Sequence, residues 1–311
     1  MNTAKLKKVV KTMQERQLTL KELKLTISDI IFLKDNGYRV KYHYDPRVKD
    51  YVYYITPRDD MAYIVISELE EKENKLNILQ ISDLHAGSNK FDEESLHKTL
   101  KEAVKRKVKY VHVSGDILDG HNMYRGHEVN LKYHTAEEQV ELIYSIFRKY
   151  NLWYIISLGN HDASFSKNGE LDPLRMLEAK MAADRKKLTY LEAYEANIVH
   201  LGVVFRLIHL NGGQARSKSY KPQVYLSNVF DSNVNDVLLG NKTYNIRSVQ
   251  CGHFHVRYNF EIGGVTLTMP GNFQFDGDLT KRMGITGKTG GIFEEIIIYN
   301  GQIIEEKTEF F

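Results

Sequence analysis

Five short segments of the sequence concentrate the side chains that bind divalent metal ions in proteins. Aspartate, asparagine and histidine offer oxygen and nitrogen ligands, and here they recur where a strand-like apolar run ends or directly after a glycine. In open α/β sheets, ligands bind at the carboxyl ends of the strands. One such segment is common by chance, but five in succession predict a metal site. The segments are 82–85 (SDLH), 114–120 (SGDILDG), 158–162 (LGNHD), His209 and 252–255 (GHFH).

The mixture of donors predicts which ions the site holds. Nitrogen together with oxygen suits Mn²⁺, Fe²⁺ or Zn²⁺ better than Ca²⁺ or Mg²⁺, which prefer oxygen alone. Two ions about 3.5–4 Å apart need a bridging carboxylate to offset their repulsion. Asp116 follows a glycine and lies between the other segments in the sequence, which makes it the candidate bridge. The donors make manganese the first choice of ion, with iron or zinc as the alternatives.

A site of this kind is suited to the hydrolysis of phosphate esters. Two divalent ions neutralise the phosphate oxygens and lower the pKa of a shared water, so that a hydroxide is present near neutral pH for in-line attack. The leaving alkoxide then needs a proton. His161, beside the ligand candidate Asn160, is the candidate general acid, and Asp162 is placed to orient its imidazole. The alternative for His161 is a residue that only supports Asn160.

The order of the motifs resembles that of the calcineurin-like metallophosphoesterase superfamily. D-x-H, G-D-x-x-D-G, G-N-H-D, a single H and G-H-x-H follow one another over roughly residues 76–272. The organisation is most similar to the DNA repair exonuclease branch of that superfamily. The resemblance implies a four-layer αββα sandwich and two metal ions that share Asp116. It also implies two ligand sets, one of Asp83, His85 and His255, the other of Asn160, His209 and His253.

Several nearby polar residues have more than one interpretation. Asp119 either accepts a hydrogen bond from a ligand histidine or caps the turn at Gly120. The long polar loop after it contains three histidines that either touch substrate or, as we favour, are ordinary loop residues: His121, His127 and His134.

Two further assignments depend on neighbouring residues. His200 competes with His209 as a ligand, but a turn signal at 201–202 places His200 at the opposite end of its strand. His209 is therefore preferred, although the Leu-Asn-Gly-Gly after it makes the local match looser. Cys251 is either a soft ligand or a small buried strand residue, and we favour the second interpretation.

The elements that must position these residues follow an alternating pattern after residue 57. Apolar runs and helical periodicity predict an α/β domain over residues 58–311. Asn300-Gly301 indicates a type I′ turn in the last hairpin. The predicted strands are 76–81, 108–113, 152–158, 198–210, 246–252, 258–269 and the hairpin 292–304, and the predicted helices are 93–107 and 136–150, followed by a polar, helix-rich stretch over 163–192.

Residues 1–57 follow a different pattern. Helical spacing over 4–16, a capping box from Thr19 to Glu22, a helix over 26–36 and a hairpin over 40–55 predict a small module that resembles a winged helix-turn-helix. Four basic residues near its tyrosines are candidates for nucleic-acid binding: Arg39, Lys41, Arg47 and Lys49. The alternative is a packing or dimerisation module whose charges are merely solvated.

Composition limits the classes of protein to consider. Of the 311 residues 42% are hydrophobic, 27% are charged and only five are proline, which excludes a disordered or collagen-like chain. The net charge is +3, yet residues 1–60 contain 13 Lys and Arg against eight Asp and Glu. The sequence has a single cysteine and starts without a secretory signal, and no run reaches the roughly 18 apolar residues of a membrane helix. These features predict a cytoplasmic protein without a membrane partner.

The substrate stays open at this stage. Our first interpretation is a phosphodiesterase or nuclease that acts on DNA. The alternative is a phosphatase or phosphodiesterase for a small nucleotide or a phosphoprotein, with the N-terminal module used for assembly, and a homo-oligomer is an open possibility. A binding protein with a decayed metal centre is disfavoured because the set of ligands is complete.

Overall fold

The computed structural model divides the chain into two compact units, residues 1–61 and 62–311. It describes residues 9–10, 12–13, 18–35, 40–45, 50–55, 62–67, 70–166, 172–212, 217–238, 246–275 and 289–311. The predicted domain boundary between residues 57 and 58 lies outside these ranges. Within them, no helix combines the length and the apolar character that crossing a membrane requires.

The described residues of the N-terminal unit include a small antiparallel sheet and helices. Its sheet has the order β1-β3-β2. Thr19 caps the first helix, and Glu22 accepts a hydrogen bond from the Thr19 backbone N–H at 2.8 Å, which confirms the predicted capping box. The elements are β1 (Leu18–Thr19), α1 (Leu20–Leu23), α2 (Ile27–Asp35), β2 (Val40–Asp45) and β3 (Asp50–Ile55).

Most of the predicted helix over 4–16 and three of the four proposed nucleic-acid contacts lie outside the described residues. These three are Arg39, Arg47 and Lys49. Lys41 lies in β2, where only its backbone is described. The resemblance to a winged helix therefore stays a prediction.

The second unit alternates strands and helices in its first half and is mostly β in its second. Its strands are β4 (Ala62–Ser67), β5 (Asn74–Ile81), β6 (Tyr110–Ser114), β7 (Trp153–Ser157), β8 (Lys187–Tyr190), β9 (Glu195–His200), β10 (Val203–His209), β11 (Ile246–Gly252), β12 (Arg257–Ile262), β13 (Val265–Pro270), β14 (Ile292–Tyr299) and β15 (Gln302–Phe310). Its helices are α3 (Glu93–Lys105), α4 (Ala136–Phe147), α5 (Ala163–Ser166), α6 (Pro173–Ala183) and α7 (Tyr220–Leu238), and a 3₁₀ turn spans His127–Asn130.

The strands form two six-stranded sheets. One has the order β15-β14-β5-β6-β7-β8, and the other has the order β12-β13-β11-β10-β9-β4. Strands β5, β6, β7 and β8 pair in parallel, as do β10, β11 and β13. Parallel pairing brings the carboxyl ends of β5, β6 and β7 to one edge of the first sheet, as the sequence pattern requires.

Alternation along the strands builds four layers. Leu76 and Ile78 of β5 pack against Ile198 and Phe205 of the other sheet, so this face lies between the sheets. The opposite face of the first sheet packs on α3, α4 and α6 in a cluster that includes Leu79 and Ile81 of β5, and the outer face of the second sheet packs on α7. The predicted αββα sandwich is therefore confirmed.

Candidate metal centre

The five predicted segments meet at the carboxyl ends of β5, β6, β7, β10 and β11. The loops after β5 and β6 run side by side, since Asp83 N–H donates to the Gly115 carbonyl and His85 N–H donates to the Asp116 carbonyl, each at 3.1 Å. The β11 loop joins them through His253 N–H, which donates to the Asp83 carboxylate at 2.9 Å. Backbone hydrogen bonds therefore fix the spacing of the ligand-bearing loops.

Small residues let these loops approach one another closely. A Cβ at Gly159 would overlap the backbone nitrogen and Oδ1 of Asp116, and a Cβ at Gly252 would overlap the Ser114 carbonyl. Any side chain at the glycine of G-N-H-D or of G-H-x-H would clash with the neighbouring loop, so both positions require glycine.

Left-handed backbone is concentrated in the same loops. The φ angles are 52° at Asp83, 52° at His85, 51° at Asp116, 89° at His253 and 54° at His255. This conformation is unfavourable for residues other than glycine and persists where the surroundings enforce it. The conformation recurs at five of the seven predicted ligands. The fold therefore directs these side chains into the site although the backbone conformation costs stability locally.

The ligand atoms of the first predicted set lie close enough together to bind one metal ion. Asp83, His85 and His255 offer ligand atoms that all lie within 4.8 Å of one another. His255 Nε2 is 3.5 Å from Asp83 Oδ1 and 3.0 Å from His85 Nε2. Atoms that bind one ion at about 2.1 Å are separated by about 3.0–3.4 Å, so the spacing fits a shared ion.

The second set has the same compactness. Asn160 Oδ1 lies 3.1 Å from His209 Nε2 and 3.0 Å from His253 Nδ1. Asp116 Oδ2 lies 3.1 Å from the same His209 nitrogen. Three imidazole or carboxylate ligand atoms of this set, from Asp116, His209 and His253, again fall within 4.8 Å of one another.

Asp116 contacts residues of both sets. Its Oδ2 atom is 3.1 Å from His209 Nε2 and 3.8 Å from His85 Nε2. Its Oδ1 atom accepts the backbone N–H of His161 at 2.8 Å, which fixes the orientation of the carboxylate. Asp116 therefore lies where a carboxylate could bridge two ions.

Hydrogen bonds on the far side of each ring determine which histidine nitrogen faces the site. His85 donates from Nδ1 to Asp119 Oδ1 at 3.0 Å, and His209 donates from Nδ1 to the Ser114 carbonyl at 2.8 Å. His253 donates from Nε2 to the Gly212 carbonyl at 3.2 Å. Each bond leaves the other nitrogen for a metal ion, which is the usual arrangement of ligand histidines. Ligand atoms thus converge, and a bound cation would offset the repulsion between their lone pairs.

His255 completes this pattern through Asn272. The Asn272 amide nitrogen lies 3.1 Å from His255 Nδ1, while Asn272 Oδ1 is buried and has no hydrogen-bond partner in the described part of the chain. The reverse orientation of this amide would let Oδ1 accept the Nδ1 proton and leave His255 Nε2 free. The unpaired oxygen is therefore an observation that fits a metal-ligating His255.

The charges of the site favour cations. Burial opposes protonation of His85 and His209, yet the hydrogen bond from His85 to Asp119 and the carboxylates of Asp116 and Asp83 raise both pKa values to about 9. Burial raises the pKa of Asp83 to about 6. Without metal, protons on imidazole neutralise the buried carboxylates, and metal ions would have to displace them.

His161 and Asp162 do not pair as the sequence suggested. The Asp162 carboxylate is buried and accepts the backbone N–H groups of Leu118 at 2.8 Å and Gly159 at 2.9 Å. The His161 ring donates from Nδ1 to the Asp119 carbonyl at 2.5 Å. The expectation that Asp162 orients the His161 imidazole is wrong, because backbone donors already occupy the carboxylate. Asp162 instead ties the β6 and β7 loops together.

The sequence left the role of Asp119 open and did not single out His127. Asp119 is buried, and its Oδ2 atom accepts from His127 Nε2 at 3.2 Å while its Oδ1 atom accepts from His85. His127 is itself buried, and its Nδ1 accepts the Met123 N–H at 3.3 Å. The interpretation of His127 as an ordinary loop residue is therefore wrong. Its spacing of eight residues from Asp119 carries no signal in the sequence.

The other residues considered as ligands or substrate contacts lie outside the metal centre. His200 lies between the sheets with its Nε2 3.2 Å from His112 Nε2, so His209 and not His200 lies in the cluster. Cys251 is a buried residue of β11. His134 is exposed and His121 is partly exposed.

Comparison with known proteins gives the family. A family model for calcineurin-like phosphoesterases matches residues 76–257, which include all five segments. The DNA polymerase II small subunit of Methanothermobacter thermautotrophicus is 31% identical over 112 residues, 32% of this chain and 23% of that protein. The subunit of the same name from Methanocaldococcus jannaschii is 25% identical over 241 residues, 66% of this chain and 40% of that protein. The chain thus matches well under two thirds of the length of these relatives.

Solved structures that match this chain include a novel archaeal phosphodiesterase and the protein TT1561 of Thermus thermophilus. The first is 16% identical, with a TM-score of 0.37, and the match covers 75% of this chain and 100% of that chain. The second is 12% identical, with a TM-score of 0.41, and the match covers 76% and 99%. Because the family model covers more than half of its length, the chain belongs to the calcineurin-like phosphoesterase family.

Proposed function

We propose that the chain is a two-metal phosphodiesterase that acts on DNA. The observation that supports this most is the convergence of seven oxygen and nitrogen ligands from five loops, with Asp116 between two sets. Manganese is the proposed ion, and iron or zinc would fit the same donors. One ion would be held by Asp83, His85 and His255, the other by Asn160, His209 and His253.

The protein side of the reaction follows from the hydrogen bonds. When bound, the two ions would neutralise the phosphate charge and lower the pKa of a water that attacks phosphorus. His161 donates from Nδ1 to the Asp119 carbonyl, so Nε2 is the nitrogen left to face a substrate in the pocket that the ring lines. Burial lowers the pKa of His161, which makes its protonated form a stronger acid toward a leaving alkoxide.

Two observations support DNA as the substrate. The curated relatives are named as subunits of a DNA polymerase. Residues 1–60 also contain 13 Lys and Arg against eight Asp and Glu. We assign residues 1–57 to DNA contact through Arg39, Lys41, Arg47 and Lys49, and residues 58–311 to catalysis, because basic side chains bind the phosphate backbone without regard to sequence.

The experiment compares substrates with the full chain loaded with Mn²⁺. We expect hydrolysis of bis(4-nitrophenyl) phosphate and of labelled DNA, with Asp116→Asn abolishing both. Glu305→Gln removes an exposed carboxylate of β15 outside the centre and should leave both rates unchanged. Fast hydrolysis of 4-nitrophenyl phosphate with inert single- and double-stranded DNA would contradict the assignment to DNA.

A further inference from the structure

A pocket opens beside the metal centre, and much of its wall has no part in holding ions. Its floor includes Asp116, His161 and His255. The rest of the wall comes from three loops, which follow β5, β6 and β13 in the sequence. The wall residues outside the metal centre are Ser88, Lys90, Tyr124, Asn130, Gln274 and Phe275.

Two of these wall residues expose large aromatic surfaces. Tyr124 is 49% exposed and Phe275 is 58% exposed. Apolar surface left in water costs about 25 cal/mol per Å² relative to burial, so exposed rings beside a reaction centre are available to a ligand. They approach the centre from different loops, and a planar group beside the phosphate would cover them.

The Tyr124 ring and the Phe275 backbone are held in place before any ligand arrives. The Tyr124 hydroxyl accepts from Asn130 Nδ2 at 3.1 Å, and its ring lies 4.7 Å from the His127 ring. The Phe275 N–H donates to the Lys90 carbonyl at 2.9 Å. Ordering of the Tyr124 side chain therefore adds little to the cost of binding.

The polar groups of the wall complement a nucleotide. The Lys90 ammonium makes no ion pair with any residue that the structure describes, so it is available for a phosphate oxygen. Gln274 and Asn130 place amide side chains in the same wall, and amides bond to the edges of bases. Aromatic planes, amides and a cation are the combination with which proteins bind single-stranded nucleic acid.

We propose that Tyr124, Phe275 and Lys90 form a subsite for the nucleoside attached to the scissile phosphate, with the base stacked on one or both rings and Lys90 on a phosphate oxygen. This inference rests on the proposed phosphodiesterase function and adds the substrate class, a nucleotidyl ester with an unpaired base. A base inside a duplex cannot present its face to these rings, so single-stranded or frayed ends are the preferred substrates.

The test uses two esters with the same leaving group. Thymidine 5′-(4-nitrophenyl phosphate) carries a nucleoside, and ethyl 4-nitrophenyl phosphate carries an ethyl group instead. We expect Tyr124→Leu together with Phe275→Leu to lower kcat/KM for the thymidine ester about 5- to 150-fold, the effect of losing base stacking. The ethyl ester should change less than about twofold. Tyr299→Leu, at an aromatic residue 50% exposed on β14, is the matched control and should change neither.

Equal losses on both esters would overturn the subsite, since the rings would then only support the metal centre. No loss on either would also overturn it. If the wild-type chain with Mn²⁺ hydrolyses neither ester, the proposed function fails, and binding of thymidine 5′-monophosphate then tests the subsite by calorimetry. The double variant should bind this nucleotide at least about fivefold more weakly and bind inorganic phosphate unchanged. Equal weakening of both ligands would contradict the subsite.

Discussion

Asp119 connects three histidines of the site. Its two carboxylate oxygens accept from His85 at 3.0 Å and from His127 at 3.2 Å, and its carbonyl accepts from His161 at 2.5 Å. One residue therefore sets the orientation of a predicted ligand and of the candidate general acid. Residues that orient ligands in this way usually affect metal affinity almost as strongly as the ligands do.

His161 is expected to matter most for poor leaving groups. An alkoxide needs a proton as it departs, whereas nitrophenolate needs little help. His161→Ala should therefore slow release of a nucleoside alkoxide from a dinucleotide by about 10²- to 10⁴-fold, and release of nitrophenolate much less. Rates on the two substrates check this, and equal losses would show that His161 only positions the site.

His127 is expected to act on metal affinity through Asp119. His127→Phe leaves one oxygen of a buried carboxylate without its donor, so Mn²⁺ affinity should fall about 10- to 100-fold. His127→Gln keeps an N–H donor and should restore most of the affinity. His134→Phe, at an exposed histidine of the same loop, is the control. Metal titration by calorimetry measures all three, and equal affinities for the His127→Phe and His127→Gln variants would contradict the role.

The sequence predicted the residues that meet at the metal centre but not all of their supports. Asp83, Asp116 and Asn160 could be predicted because each belongs to a short motif at a strand end. His127 could not, since it reaches its partner Asp119 through a largely exposed loop whose course is set by tertiary contacts. The wrong pairing of His161 with Asp162 arose because adjacency along the chain says nothing about backbone donors from another loop.

The strand ends hold the site through close backbone contact. Gly159→Ala would place a methyl group onto Asp116, so the β6 and β7 loops must separate. We expect weaker metal binding and a loss of stability of about 1–3 kcal/mol, the usual cost of overpacking. At Gly126 a Cβ would meet nothing within 4 Å, and Gly126→Ala should cost only backbone strain. Metal titration and urea unfolding of both variants check the prediction, and a stable Gly159→Ala with intact affinity would contradict it.

Two histidines between the sheets make stability depend on pH. The His112 and His200 rings stack at 5.4 Å, and burial lowers the pKa of His200 to about 3 and that of His112 well below its ordinary value. The unfolded chain takes up these protons below about pH 6.5 and the folded chain does not. The contribution of these two histidines to stability is therefore complete above about pH 6.5 and falls as the pH drops toward about 3.

His200→Leu should remove part of this dependence. Between about pH 7.5 and 5.0 the free energy of unfolding of the wild-type chain should fall by about 2 kcal/mol more than that of the variant, the contribution of one such histidine. Urea unfolding with a chelator present measures the difference without interference from bound metal. Parallel losses in the two proteins would contradict it.

The sequence located most of the described strands from apolar residues that recur along them. The strand β11 was predicted at its observed bounds, 246–252, and the turn at Asn300-Gly301 has the positive φ angles of its predicted type. The helix α7 was not predicted. Its second half, NVFDSNVNDV, is rich in residues of low helix propensity. The whole helix packs Leu226 and Val229 on the second sheet, and this packing stabilises it.

Charge is distributed unevenly along the molecule. The first 60 residues contain five more Lys and Arg than Asp and Glu, and the remainder contains two fewer. Phosphate contacts make binding depend on salt, with a slope of about 0.9 per contact in a plot of log affinity against log salt. A DNA-contacting N-terminal unit should therefore dominate the salt dependence.

Replacement of four basic residues tests this assignment. Gln at Arg39, Lys41, Arg47 and Lys49 should weaken DNA binding and lower the salt slope by up to about 4. Hydrolysis of bis(4-nitrophenyl) phosphate should not change. Fluorescence titration of labelled DNA at several salt concentrations measures the slope, and an unchanged slope would assign these charges to solvent.

The proposed catalysis depends on a pair of metal ions in the site. Crystals of the chain soaked with Mn²⁺ and measured at the manganese absorption edge locate the ions directly. We expect two anomalous peaks about 3.5–4 Å apart, with Asp116 bonded to both and the other six residues divided three and three. A single peak, peaks away from these side chains, or none at saturating Mn²⁺ would contradict it.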